Sequence, residues 1–321
     1  MKQYIFLISL FLLLPLSGYA ANPELEWPIR VDQPWEQMDS FFGPRLQGCS
    51  DVNECYDFHR GLDLDGEIGD GIYAAADGEV YGVYTVDDED SPYSGGGNVV
   101  ILQHDVEQSF RFQKQQHTRF YTFYYHMDSL ETELEPGDTV EVGDQLGTLG
   151  ETGAASSPHL HFEVRVGEIC SLSSSCNDSG FDPHVNPLRY LEYPETDVVE
   201  EIDIYRKKKA VRVDLSLPIE EYDLNAVYVY ALNKNKKHVR RKRINFNTRL
   251  HINAADREAL DQNLYRRVKI FPHPVKESTG QHGVEIAFQK MLSKKVKYIR
   301  VVVKDAHGKT IKTKTVKKSN L

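Results

Sequence analysis

Short segments in which apolar and polar residues alternate recur along most of the chain, and Gly, Asp, Ser and Pro separate them. β-branched and aromatic residues are concentrated in these segments, and this pattern predicts half-buried strands. We therefore expect an all-β protein built from antiparallel β-sheets. In the first half the predicted strands are Gly71–Tyr84, Asn98–Gln103, Phe120–His126, Gln145–Leu149 and His159–Val166. Asp87–Gly97 and Val106–Thr118 are interpreted as insertions between strands.

The second half repeats the pattern with about seven short strands, which is typical of an immunoglobulin-like β-sandwich. The predicted strands are Ala210–Leu217, Ala226–Leu232, Val239–Phe246, Val268–Phe271, Val284–Phe288, Tyr298–Val303 and Lys309–Thr315. We expect Asp305–Gly308 to form a hairpin turn between the last two strands, and Ala254–Leu264 to form one helix capped by Asn253.

The first twenty residues have the pattern of a signal peptide. Lys2 precedes the apolar run Ile5–Leu14, and the small residues Gly18 and Ala20 suit cleavage before Ala21. We expect an exported protein, periplasmic or extracellular, without a transmembrane segment, because no later apolar run is long enough. An uncleaved anchor is the alternative.

Charge divides the chain into two parts. The 321 residues carry 38 Lys and Arg against 48 Asp and Glu, a net charge of −10. Up to Pro194 there are 9 basic and 33 acidic side chains, whereas the remainder has 29 basic and 15 acidic. A sign change of this size predicts two domains with different surfaces. We place the first at residues 21–194, a linker at 195–205 and a basic domain at 206–321.

The four cysteines form two local pairs, Cys49/Cys55 and Cys170/Cys176. In an oxidising compartment such spacing predicts two disulfides, each closing a small loop. The alternative is a zinc site made of all four cysteines, although such sites usually have shorter spacings within each pair.

Three segments carry residues suited to chemistry. His59 and Asp63 lie four apart, and the strand period of two places both on one side. His159 and His161 share a strand face in the same way, and His126 ends an aromatic strand. Imidazole and carboxylate groups are common zinc ligands. Each segment alone is equally consistent with ordinary surface or half-buried histidines.

Taken together, the segments and the residues around them resemble the lysostaphin-like, LytM-type peptidoglycan zinc metallopeptidases. The resemblance runs from about Phe41 to Leu191. The matching segments are His59–Leu64, Ile72–Val80, Gly97–Ile101, Gly137–Gly147 and Thr152–Gly153 followed by Pro158–Glu163. It implies that the first domain has the barrel-sandwich hybrid fold of that family. Ser157 departs from the family pattern, which usually has Gly before the Pro-His-Leu-His segment.

The resemblance also implies a role for each candidate residue. His59, Asp63 and His161 would bind one Zn²⁺ ion, with a water molecule at the fourth position. His126 and His159 would be the catalytic histidines beside that water, without binding the metal. The sequence leaves open which of the two is the general base.

We therefore expect an exported zinc metalloendopeptidase that hydrolyses the peptide cross-links of bacterial peptidoglycan. Two alternatives stay open. One is a metal-retaining, non-hydrolytic module that binds the cell wall or activates amidases, and the other is a protease of Gly-rich proteins. The basic domain could contact an anionic envelope polymer, dock against the acidic domain of its own chain, or simply be solvated. We expect no nucleic-acid partner, and the oligomeric state and the scissile bond are not predicted.

Overall fold

A computed structural model of the protein describes residues 23–46, 56–112, 115–131, 133–167, 184–194, 199, 201–217, 226–245, 272–276 and 281–321. Several predictions from the sequence fall outside these ranges and stay predictions. They are the signal peptide, both cysteine pairs, the helix at 254–264 and the strand at 268–271.

The predicted all-β class is confirmed, since the described residues form antiparallel ladders joined by loops and short 3₁₀ turns. The strands of the first half are β1 (Met38–Ser40), β2 (Gly43–Leu46), β3 (Tyr56–His59), β4 (Leu62–Asp65), β5 (Gly71–Tyr73), β6 (Gly78–Tyr84), β7 (Asn98–Phe112), β8 (Gln115–Leu130), β9 (Thr139–Val140), β10 (Gln145–Leu149), β11 (His159–Val166) and β12 (His184–Val185). The strands of the second half are β13 (Glu201–Lys207), β14 (Ala210–Leu217), β15 (Ala226–Leu232), β16 (His238–Asn245), β17 (Pro272–Lys276), β18 (Gln281–Gln289), β19 (Tyr298–Lys304) and β20 (Thr310–Lys317). The 3₁₀ turns are Pro34–Gln37, Ser94–Gly96, Pro187–Arg189 and Lys318–Asn320.

One ten-stranded sheet organises the first half. Its main path runs β1-β4-β11-β8-β7-β6-β9, with β5, β10 and β12 attached at its sides, while β2 and β3 form a separate ribbon. Alternate residues of the central strands, among them Leu160, Phe162 and Val164 of β11, are fully buried in one apolar cluster. This burial fixes the register of β11, because a shift by one residue would turn its apolar side chains to the opposite face.

The second predicted insertion, Val106–Thr118, is not a loop. β7 and β8 continue through most of it as a long hairpin, with Phe110 opposite His117 and Phe112 opposite Gln115. Phe110 and Phe112 are buried, and this burial explains why the ladder extends beyond the predicted strand ends. The first predicted insertion, Asp87–Gly97, contains turns and the 3₁₀ turn Ser94–Gly96.

Two four-stranded sheets make up the second half, in the orders β13-β14-β18-β17 and β16-β15-β19-β20. Buried residues of both sheets, such as Val213 and Val301, belong to one apolar cluster. The shared cluster supports the predicted β-sandwich, although its immunoglobulin-like topology stays a prediction. β13 begins inside the segment predicted to be a linker, because Ile202 and Ile204 alternate with polar residues and pack into this cluster.

The predicted hairpin turn at Asp305–Gly308 is present, and it contacts the first half of the chain. Gly308 N donates to Asp305 O, and Gly308 adopts a φ of 78°. Ala306 packs into the apolar cluster of the first half, and His307 Nε2 lies 2.8 Å from Leu191 O. None of the helices in the described part of the chain has the length and apolar character needed to cross a membrane.

Candidate metal site

The pairing of β11 with its two neighbours brings the candidate residues together. His161 lies opposite Asp63 of β4 on one side and opposite Tyr125 of β8 on the other. The next residue along β8 is His126. His159 and His161 therefore point to one face of the sheet, while Leu160 and Phe162 fill the core on the other.

His59 reaches this face through a tight turn between β3 and β4. A Cβ atom on Gly61 would collide with the carbonyl oxygen of Phe162, so the absence of a side chain lets the turn lie directly against β11. His59 itself is 2% exposed, so the turn holds an imidazole that is almost completely removed from water.

Three potential metal ligand atoms converge at this point. His59 Nε2 lies 3.0 Å from Asp63 Oδ1 and 2.9 Å from His161 Nδ1, and His161 Nδ1 lies 2.7 Å from Asp63 Oδ1. Two imidazole nitrogens and one carboxylate oxygen form a common ligand set for zinc. The structure thus brings together the three residues that the sequence predicts as metal ligands, and the arrangement could hold one metal ion.

The other ring nitrogen of each histidine ligand is held by an oxygen acceptor. His59 Nδ1 lies 2.9 Å from Phe41 O, so it carries the proton and donates to that carbonyl. His161 Nε2 lies 3.1 Å from Glu163 Oε1 and donates to it. These contacts orient both rings and place His59 Nε2 and His161 Nδ1 next to Asp63 Oδ1.

His126 and His159 flank this group of ligands. Their ring centroids are 4.8 Å apart, and His159 Nε2 lies 3.7 Å from Asp63 Oδ1. His126 Nδ1 donates to Thr152 O and His159 Nδ1 to Ser157 O, each over 2.8 Å. These bonds fix the orientation of both rings and direct Nε2 of His159 towards Asp63.

The backbone at His126 is unusual, because its φ of 63° lies in the left-handed region. Asn98 Nδ2 donates to the carbonyls of Met127 and Asp128, and Thr152 Oγ1 donates to Met127 O. These bonds hold the segment that follows His126 and stabilise a conformation that would otherwise be disfavoured.

Burial and charge shift the pKa values of the site in opposite directions. Burial disfavours the charged form of His126 and lowers its pKa to about 4. Burial acts the same way on His161, but hydrogen bonds to Asp63 and Glu163 outweigh it and raise the pKa to about 9. Burial would raise the pKa of Asp63, yet the adjacent His59 and His161 hold it well below its usual value.

A buried ionic network beneath the site was not predicted from the sequence. Glu163 Oε2 accepts from Arg165 Nε over 2.6 Å, and Arg165 Nη2 donates to Tyr125 Oη over 2.7 Å. The guanidinium of Arg165 also lies 3.9 Å from the ring centroid of Phe123. The period-two spacing His159, His161, Glu163, Arg165 was the available signal, because it places all four residues on one strand face.

Comparison with known proteins identifies the same region. Residues 57–173 match the model of Peptidase family M23, which confirms the resemblance predicted from the sequence. The chain is 33% identical over 142 residues to the peptidoglycan DD-endopeptidase ShyC of Vibrio cholerae, covering 44% of this chain and 27% of that protein. It is 30% identical over 133 residues to the murein hydrolase activator NlpD of Escherichia coli, covering 41% and 26%. The matched region thus spans about a quarter of the length of these relatives.

A solved structure also matches this chain. The crystal structure of a zinc containing peptidase from Vibrio cholerae is 26% identical, with a TM-score of 0.29, and the match covers 40% of this chain and 37% of that one.

Proposed function

We propose that the protein is an exported zinc metalloendopeptidase of bacterial peptidoglycan, on the premise that residues 57–173 match Peptidase family M23. Its substrate would be the peptide cross-links of that polymer. The observation that carries the proposal is the convergence of His59, Asp63 and His161, with His126 and His159 beside them. A relative that has DD-endopeptidase in its name supports the same class of substrate.

The residues present fit a zinc ion on the chemistry of their donor atoms. His59 and His161 would offer lone pairs through Nε2 and Nδ1, and Asp63 would offer a carboxylate that its neighbours keep ionised. Hydrogen bonds to the far nitrogens orient ligand histidines in metal sites, and Phe41 O and Glu163 supply those bonds here. These three side chains leave room in a four-coordinate sphere for water or substrate.

A zinc ion in such a site supplies Lewis acidity, which lowers the pKa of water and polarises a carbonyl group. The remaining chemistry falls to the two flanking histidines. In an amide hydrolysis one of them accepts the proton of the attacking water and delivers it to the departing amine. The other, once its Nε2 also carries a proton, donates a hydrogen bond to the oxyanion that develops on the carbonyl oxygen. The ring centroids of His126 and His159 are 4.8 Å apart, which places the two imidazoles close enough to act on the same peptide bond.

Digestion of purified peptidoglycan sacculi tests the proposal. The protein should release new amino termini, which mass spectrometry assigns to one bond, and chelation should stop the reaction. His59→Ala should lose both bound metal and turnover. His126→Ala should keep the metal and lose turnover by roughly 10²-fold or more. Intact sacculi in the presence of a fully metal-loaded protein would overturn the proposal.

The similarity to a murein hydrolase activator supports a second candidate, a metal-retaining module without its own hydrolytic activity. In that case sacculi would be degraded only after a cell-wall amidase is added. A protease of Gly-rich proteins would instead cleave Gly-rich peptides in preference to sacculi. The same preparation tests all three functions.

Export is part of the proposal, and it has its own test. Mass spectrometry of the protein recovered from the periplasm or the medium should show Ala21 as the first residue. It should also show linked peptides for Cys49–Cys55 and Cys170–Cys176. For the basic C-terminal part we propose contact with an anionic envelope polymer, with docking against the chain's own acidic half as the competing partner.

A further inference from the structure

The outward face of one C-terminal sheet combines aromatic rings with arginines. On β15 the residues Val227, Val229 and Ala231 are fully buried, whereas Tyr228 and Tyr230 lie between them and point to the other side. Their rings stack with centroids 6.2 Å apart and planes inclined by 10°. Two parallel rings that are only half buried form a flat apolar platform with a polar rim.

Arginines border this platform on both sides. Arg243 lies opposite Tyr228, and Arg241 lies opposite Tyr230, on β16. Arg300 lies opposite Tyr230 on β19, so it borders the other edge of the platform. We name the set Tyr228, Tyr230, Arg241, Arg243 and Arg300 the tyrosine–arginine face. The guanidinium of Arg243 lies 5.9 Å from the ring centroid of Tyr228, within the range of a cation–π contact.

The charge of this sheet is of one sign. β15, β16, β19 and β20 together contain nine Lys or Arg residues and no Asp or Glu. A solvated charged surface usually mixes both signs, and a field of one sign attracts a polyanion. The guanidinium group of an arginine binds a carboxylate through two parallel hydrogen bonds. A planar aromatic side chain offers an apolar surface on which the ring of a sugar can pack.

From this arrangement we propose that the tyrosine–arginine face binds peptidoglycan, with the arginines on the carboxylates of its peptides and the tyrosine rings on its sugars, which brings the acidic catalytic half to its substrate. The inference rests on the proposed function for the choice of polymer. Charge complementarity supports it, since the first 194 residues carry 33 acidic against 9 basic side chains and would be repelled by an acidic polymer.

Binding of the full chain to intact sacculi tests the inference. Chelator is added so that the sacculi are not degraded during the measurement. Arg241→Gln/Arg243→Gln should weaken binding by roughly tenfold. Lys294→Gln/Lys295→Gln is the matched control, because it removes the same charge from an exposed turn and should change binding little. Equal loss in both variants would overturn the inference, since binding would then follow net charge alone.

The tyrosines provide a test at constant charge. Tyr228→Thr/Tyr230→Thr should also weaken binding by roughly tenfold, and Tyr228→Phe/Tyr230→Phe should retain it, because the rings are kept. Unchanged binding of the threonine variant would overturn the inference. So would preferential binding of single-stranded DNA that depends on the same residues and displaces the protein from sacculi.

Cleavage measurements separate this inference from the proposed function. Variants of the face should cleave intact sacculi more slowly but soluble cross-linked muropeptides at the original rate. Faster cleavage of the soluble fragments would indicate that the face docks on the chain's own acidic half, and would overturn the inference. A protein that cleaves nothing contradicts the proposed function, while its binding to sacculi still tests the face.

Discussion

Each histidine of the candidate site is oriented by a hydrogen bond to an oxygen atom. Three of these oxygens are backbone carbonyls, of Phe41, Thr152 and Ser157, and the fourth belongs to Glu163. Backbone carbonyls cannot be removed by substitution, whereas Glu163 is a side chain through which the orientation of a ligand histidine can be changed directly.

Replacing Glu163 by Gln should weaken metal binding by about 10–100-fold, because the amide orients His161 less strongly than a carboxylate. The change also leaves Arg165 buried without its carboxylate, which should cost about 3–5 kcal/mol of stability. Competition with a chelating dye measures the affinity of the folded protein. Glu151→Gln, an exposed carboxylate, is the control, and equal affinities for the two variants would contradict the prediction.

His104 is predicted to make stability depend on pH. Its Nδ1 donates to Asp77 O and its Nε2 lies 2.8 Å from Thr122 Oγ1, and burial lowers its pKa to about 4 from 6.5. As the pH falls below 6.5 the unfolded chain takes up the proton first. The free energy of unfolding therefore decreases between pH 6.5 and 4, by up to about 3 kcal/mol.

Urea denaturation of the metal-free protein at several pH values measures this dependence. His104→Gln should reduce the slope between pH 6.5 and 4 and leave the part that comes from His126, whose pKa is also lowered to about 4, even though the substitution lowers stability at every pH. His238→Gln, which changes an exposed histidine, should leave the slope as it is. An unchanged slope in His104→Gln would show that another group causes the dependence.

At the scale of elements, the site depends on how closely the β3–β4 turn approaches β11. Gly61→Ala should push these elements apart, because the new methyl group would collide with Phe162 O. We expect a loss of about 2–4 kcal/mol in stability and a clear loss of metal affinity.

The control for this change is Gly95→Ala, since an added Cβ at Gly95 meets no atom within 4 Å. Thermal unfolding and metal titration of both variants provide the measurement. If Gly61→Ala behaves like Gly95→Ala, the close approach does not determine the position of His59.

The sequence predicts those parts of the fold that follow from the period of two. The common face of His159 and His161, the buried Leu160 and Phe162, and the hairpin turn before Lys309 all follow from that alternation. The length of the β7–β8 hairpin does not, because polar residues after Asp105 hide the pattern until Phe110. The start of β13 was detectable at Ile202 and Ile204, but the surrounding acidic residues indicated a linker.

The contacts that backbone atoms make in the site cannot be predicted from the sequence. The carbonyls that orient His59, His126 and His159 belong to residues whose side chains give no signal. The roles of the five site residues stay with the proposal, and the substitutions of His59 and His126 test two of them.

At the scale of the whole molecule, the hairpin turn between β19 and β20 joins the two halves. His307 Nε2 lies 2.8 Å from Leu191 O, and the ring centroid of His307 lies 4.7 Å from that of Tyr193. His307→Ala should speed amide hydrogen exchange in residues 187–193 and 305–309 by roughly threefold to tenfold. Exchange in β8 and β19 should not change, because their cores stay packed.

Thr313→Ala, on an exposed position of the same hairpin, is the control for exchange measured by mass spectrometry. If His307→Ala also speeds exchange throughout β19, the substitution has destabilised the second half itself. Exchange equal to that of the control would show that the hydrogen bond and ring contact do not hold the halves together.

The β19–β20 hairpin also has a mechanical consequence. Arg300 lies in β19, and seven residues later the same ribbon reaches the contact of His307 with Leu191. Leu191 follows β12, which pairs directly with β11, the strand of His159 and His161. Tension on a polymer bound at Arg300 would be transmitted along β19 and the turn after it to the strands beside the candidate metal site.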